Sequence, residues 1–220
     1  MADDTIGATL AALFQNGQWA DARKLLEAEL AKEPDNHWLR TQLGVTYYEQ
    51  QQHEEALKHF QAASRFMPDC PLVLWNTAGA LDALGKHAKA IQVFTRLLKS
   101  DAKSEADACW ESPEWSAALK ADCVYCLGVC FRDIGKKEPA EECFRQYLDL
   151  LLTGVEGTYS VQDVSSEIRG LNASNGDGMS AHLRKAIRAA LRTAGTKEKN
   201  VARRLPVKNR RSNRPAKKTR

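Results

Sequence analysis

Small, aromatic and apolar positions along this chain fall in a register that repeats. In residues 37–70 the register is marked by Leu43, Gly44, Tyr47, Ala56, Phe60, Ala63 and Pro68. A step of 34 residues back from Ala56, Phe60 and Pro68 meets Ala22, Leu26 and Pro34, and a step of 34 forward meets Ala90 and Phe94. A further 50 residues, one period plus 16, meets Ala140 and Phe144, preceded by Leu127, Gly128 and Phe131. Gly17, Gly85 and Gly135 share one place in the register, where Gln51 stands in the second unit. A fixed period of this length predicts tandem structural units, none able to bury its apolar face alone.

Each marked residue has a physical task. Gly44, Gly128, Ala22, Ala56, Ala90 and Ala140 let two helices approach closely, while Phe60, Phe94, Phe144, Tyr47 and Phe131 fill the space between neighbouring pairs. Pro34 and Pro68 end the second helix, because proline lacks the backbone donor and biases its predecessor away from helical dihedrals. The units span 3–36, 37–70, 71–104 and 121–154, with an insertion at 105–120. Within that insertion Ser112, Pro113 and Glu114 read as a helix start, Ser as cap and Pro at the first helical position. The first helix of the fourth unit is therefore expected to extend backwards by about two turns. Trp110 and Trp115 flank its start and are expected to pack it against the third unit.

Leu-Gly, then an aromatic, then Ala-x-x-x-Phe, then Pro across 34 residues resembles the tetratricopeptide repeat family. The resemblance is close in the second unit. The first unit departs from it with Leu10 and Leu13 where Gly and Tyr are usual, and the third has Ala102 in place of the final Pro. It implies an all-α fold, a right-handed solenoid of four repeats over residues 3–154 whose first helices line a concave groove. Repeat positions 2, 5, 6, 9, 12 and 13 of the family face that groove. They correspond to Trp38, Thr41, Gln42, Val45, Tyr48 and Glu49 in the second unit, and to Leu72, Trp75, Asn76, Gly79, Asp82 and Ala83 in the third. The fourth unit contributes Asp122, Tyr125, Cys126, Val129, Arg132 and Asp133. Of these, Trp38, Gln42, Val45, Tyr48, Trp75, Asn76, Tyr125 and Val129 are the candidate peptide-binding residues. The carboxylate clamp of the chaperone adaptors is not expected, because its Lys, Asn and Arg sites here hold Gly7, Ala11, Gln42, Leu72 and Asn76.

Beyond the repeats, residues 154–162 read as a loop, and a short helix is expected from Asp163 to Arg169, closed by Gly170. From Met179 the stripe Met179, Leu183, Ile187 and Leu191 recurs every four residues, with Arg184, Lys185, Arg188 and Arg192 off it. Such a helix within residues 155–195 either covers the last repeat or lies on an anionic membrane or in a partner's groove. Residues 196–220 have too little apolar surface to offset their ordering entropy and are expected to be disordered.

Charge divides the chain of 220 residues. Residues 181–220 hold fifteen Lys or Arg against Glu198 alone, a net +14, while the remainder holds 17 basic and 27 acidic residues, a net −10. Arg203, Arg204, Lys208, Arg210, Arg211, Arg214, Lys217, Lys218 and Arg220 form a candidate polyanion-binding tail, suited to RNA or DNA in general through counterion release. Without interleaved aromatics it offers no stacking platform for reading sequence.

No run approaches the roughly 18 apolar residues needed to cross a bilayer. The start carries Asp3 and Asp4 where a secretion signal carries base, so a cytoplasmic chain with reduced thiols is expected. On a helix rising about 1.5 Å per residue, Cys123 and Cys130 lie about 10 Å apart, so Cys123, Cys126 and Cys130 cannot share one ion. They read as filling of a seam between helices. His37, His53, His59, His87 and His182 show no ligand spacing, and no phosphate loop, dinucleotide fingerprint or nucleophile elbow is present. The reading is a non-catalytic protein-interaction scaffold or assembly adaptor, with no cofactor and no metal. Its alternative is a nucleic-acid-associated adaptor that binds through the tail.

Overall fold

The computed structural model describes residues 3–100 and 112–173 together with Ile187. Among these residues the chain forms nine α-helices and no strand. Four pairs come first: α1 (Asp3–Gln15) with α2 (Trp19–Lys32), α3 (His37–Glu49) with α4 (His53–Phe66), α5 (Pro71–Ala83) with α6 (His87–Lys99), and α7 (Pro113–Asp133) with α8 (Lys137–Leu152). The ninth of these helices is α9 (Val161–Ala173). Each helix packs on its partner within the pair, and each second helix packs on the next first helix, so the pairs stack into an α-solenoid. No helix among the described residues is long and apolar enough to cross a membrane. The basic tail from residue 196, Trp110, Cys109 and most of the stripe from Met179 lie outside the described residues. Of that stripe Ile187 is described, and it is buried in the core that contains Val161, Val164 and Ile168.

Each pair closes on one contact between its helices. A Cβ built on Gly44 would lie 2.5 Å from the Phe60 ring, and one on Gly128 would lie 2.7 Å from Phe144. Those distances are far inside van der Waals contact, so only glycine lets the ring lie flat on the first helix. The same two register positions are Ala78 and Phe94 in the third unit and Leu10 and Leu26 in the first. All of these side chains are at most 2% exposed. Where the second-helix residue shrinks from Phe to Leu, its counterpart grows from Gly to Leu, which accounts for the first unit's departure from the pattern.

The turns are built alike. Gly17, Gly85 and Gly135 have φ of 67°, 73° and 78°, and Gln51 takes φ 62° at the same register position. In each turn the residue after this one donates its N–H five residues back, as in Gln52 to Tyr47 (3.0 Å) and Lys86 to Leu81 (2.8 Å). This closes the helix through a left-handed residue, a conformation glycine adopts freely and Gln51 adopts at a cost of about 1 kcal/mol.

At the start of α7, Ser112 Oγ accepts a hydrogen bond from the Trp115 N–H at 3.1 Å, and Pro113 occupies the first helical position. Trp115 is buried in the core that also holds Phe94 and Leu97 of α6. At the other end α9 is longer than the helix expected from Asp163 to Arg169, and it passes through Gly170 rather than stopping there. Ser160 and Asp163 cap it reciprocally: the Ser160 N–H donates to Asp163 Oδ2 (2.8 Å) and the Asp163 N–H to Ser160 Oγ (3.2 Å). Burial of Val161, Val164, Ile168 and Leu171 on α7 and α8 outweighs the helix penalty of one glycine.

Urea unfolding should separate the two uses of glycine. Gly128→Ala lowers stability by about 1–3 kcal/mol through overpacking against Phe144. Gly85→Ala, whose Cβ would meet nothing within 4 Å, lowers it by about 1 kcal/mol through backbone conformation alone. Gln51→Gly raises it by up to about 1 kcal/mol.

Candidate functional site

The first helices α3, α5 and α7 carry the expected groove positions, and the structure divides these into open and covered residues. On α3, Trp38, Gln42 and Tyr48 are half-buried, while Val45 between them is buried. Tyr48 leans on His53 of the following helix, with ring centroids 5.0 Å apart. On α5, Trp75 is buried edge-on against Phe94 (5.7 Å), and Asn76 is buried with its Nδ2 donating to the Leu72 carbonyl of its own helix (2.8 Å). On α7 both Tyr125 and Val129 are buried.

Thr158, Tyr159 and Glu167 cover Asp122, Tyr125, Cys126 and Arg132 of α7. Tyr159 stacks on Tyr125 with centroids 3.8 Å apart and planes 12° apart. The Tyr159 hydroxyl lies 3.5 Å from Cys126 Sγ, and Glu167 of α9 forms an ion pair with Arg132 and lies 3.5 Å from the Tyr125 hydroxyl. Asp122, 1% exposed, accepts the Thr158 backbone N–H (2.8 Å) and the Thr158 hydroxyl (2.5 Å). The Tyr147 hydroxyl donates to the Tyr159 carbonyl (2.8 Å) and accepts its N–H (2.9 Å). Burial pushes the Asp122 carboxyl up to about 6, against the opposing pull of the two Thr158 bonds. Burial likewise raises the Tyr125 and Tyr147 phenols above their ordinary range, so both stay protonated donors at neutral pH.

The cysteines of α7 point to three different surroundings. Cys123 is wholly buried, and burial raises its thiol well above the ordinary value. Cys126 faces Tyr159, whereas Cys130 donates to Asp82 Oδ1 at 3.2 Å. Cys143 of α8 is half-buried, its thiol raised to about 11 by burial. Asp82, expected at the groove, is 2% exposed, and His87, for which no ligand spacing was expected, holds its Nδ1 2.8 Å from the same Oδ1. His59 stacks on Tyr47 (5.1 Å), and burial lowers its basicity. The Asp82–His87–Cys130 grouping joins residues 48 apart in the chain, and the linear spacing of His and Cys carries no trace of it. The polyanion-binding candidates from Arg203 to Arg220 lie outside the described residues.

The tetratricopeptide repeat family matches residues 13–74 and 47–108. No curated protein matches the chain in sequence. Among solved structures, MamA from Desulfovibrio magneticus RS-1, from its residue 41 to the end, is similar at a TM-score of 0.64 and 13% identity, covering 89% of this chain and 96% of that one. A putative kinesin light chain of Podosopora anserina with nearly identical TPR-like repeats is similar at a TM-score of 0.62 and 18% identity, again over 89% of this chain and 96% of the other. At these identities the likeness concerns the fold.

Because the folded carboxyl of Asp122 titrates higher than an ordinary 3.8, the native state holds a proton there that the unfolded chain has released. Stability therefore falls as pH rises from about 4 to about 6, by roughly 3 kcal/mol for a shift of about two units. Asp122→Asn removes this component, so the difference in urea stability between the variant and the native chain should change by that amount across the window. A pH-independent difference would show that Asp122 is not the source.

Proposed function

We propose that this chain, built from tetratricopeptide repeats, is a non-catalytic interaction scaffold that works in the cytoplasm and holds an extended or helical peptide across α3 and the edge of α5. The observation that carries this reading is the state of the α3 stripe. Trp38, Gln42 and Tyr48 remain partly exposed in an array whose other groove aromatics, Trp75 and Tyr125, are buried against Phe94 and Tyr159. Partly exposed aromatics around an amide give a peptide apolar anchors and a hydrogen-bonding partner together. Tyr125 and Val129 stand outside this reading, since the chain itself covers them. The free thiols of Cys70, Cys123, Cys126, Cys130 and Cys143 suit a reducing compartment.

A second reading is supported by the charge division. The net +14 over residues 181–220 gives affinity for RNA or DNA while the repeats recruit a protein.

Affinity capture with the chain as bait tests the first reading. Trp38→Ala with Tyr48→Ala should weaken retention of its peptide partner at least about 30-fold, the cost of losing two aromatic anchors, with far-ultraviolet helicity unchanged. Undiminished capture by the double variant refutes it. For the second, a chain ending at residue 195 should lose binding to RNA and DNA, and the full chain's affinity should fall steeply between 50 and 200 mM salt; a flat salt response removes that reading.

A further inference from the structure

Asp82 lies near the end of α5, with its side chain 3% exposed. A carboxylate so deep requires donors or a cation beside it. Two other helices converge on it. His87, the first residue of α6, brings Nδ1 to 2.8 Å from Oδ1, and Cys130 of α7 brings Sγ to 3.2 Å from the same oxygen. The three ligand atoms lie within 4.8 Å of one another. Asp133, three residues beyond Cys130, holds its Oδ2 4.0 Å from the far nitrogen of His87, Nε2.

We propose that Asp82 Oδ1, His87 Nδ1 and Cys130 Sγ form a binding site for a divalent cation of the zinc class. Tetrahedral coordination at about 2.0–2.1 Å to oxygen and nitrogen and 2.3 Å to sulfur places ligand atoms about 3.3–3.7 Å apart. The hydrogen-bond lengths here would open by about half an ångström to admit the ion. One carboxylate and one thiolate neutralise a dication, which lowers the cost of burying it. An imidazole nitrogen and a thiolate favour zinc over magnesium or calcium, which take oxygen ligands. The His87 side chain is 19% exposed, giving the ion an entry path and the fourth position a water.

The protons balance. On binding, the Cys130 thiol proton passes to solvent and His87 Nδ1 gives up any proton it carries, leaving the ring N–H at Nε2, facing Asp133. A carboxylate behind a metal-bound imidazole fixes the ring and its tautomer. The ion would tie α5 and α6 directly to α7, across the interruption between the third and fourth pairs.

The test uses the full reduced chain and Co²⁺ as a spectroscopic probe. One equivalent should give a near-ultraviolet thiolate-to-cobalt band together with tetrahedral visible bands, and both should be displaced by Zn²⁺. Cys130→Ser, nearly isosteric and still able to donate to Asp82, should abolish the near-ultraviolet band. His87→Gln should lower Zn²⁺ affinity at least about 100-fold, and Asp133→Asn by about 10–100-fold. Excess Zn²⁺ should raise the thermal midpoint of the native chain and leave His87→Gln unmoved. No stoichiometric cobalt spectrum from the native chain, or a thiolate band that survives Cys130→Ser, overturns the assignment.

Discussion

The fold depends on a ring lying against a helix backbone. Phe60 on Gly44 and Phe144 on Gly128 set how near the two helices of a pair can come. That spacing leaves each pair with apolar faces on both sides, which water disfavours and a neighbouring pair covers. The core accordingly runs on without a break from Val45 in α3 to Ile168 and Ile187. A smaller cluster around Leu10, Leu26, Leu39 and Leu43 joins the first pair to the second. Since no pair has a centre of its own, what ends the array matters as much as what repeats in it. Here α9 lays Val164 and Ile168 on the last pair and turns Gln162, Ser166 and Arg169 outward.

Two acids at positions that the repeat pattern assigns to the groove turn out to serve the interior. Asp82 is held by His87 and Cys130, and Asp122 by Thr158. In both cases the donors come from a different element, so the acid fixes one segment against another rather than facing a peptide in the groove. A groove position in the repeat register therefore does not by itself leave a residue open: Asp82 and Asp122 are covered, whereas Trp38, Gln42 and Tyr48 are partly exposed.

The architecture was legible because a period of 34 residues is a property of the linear chain. Leu-Gly, Ala-x-x-x-Phe and the turn glycines each mark a contact made within one unit or with its neighbour. The start of α7 was legible for the same reason, Ser112 and Pro113 acting over three residues. The cap of α9 is equally local, a Ser-x-x-Asp from Ser160, but it lies within the glycine-containing stretch 154–162, whose composition is that of a loop. What the sequence did not disclose lies between distant segments. Tyr125 could be placed at a groove position, yet its cover by Tyr159 comes from residues beyond the last repeat. His87 showed no ligand spacing because its companions are on other helices, Cys130 being 48 residues from Asp82.

The reciprocal sizes at the helix-pair contact bear on how such a chain finds its fold. Hairpins of similar sequence risk zipping to the wrong neighbour, a hazard of tandem arrays. Leu10 set against Phe60 would overfill the gap, and Gly44 set against Leu26 would leave a void. The helices of the first hairpin are therefore poor substitutes for those of the second and fourth, whose Gly–Phe contacts match one another in size, so size complementarity sets the first hairpin apart from the rest.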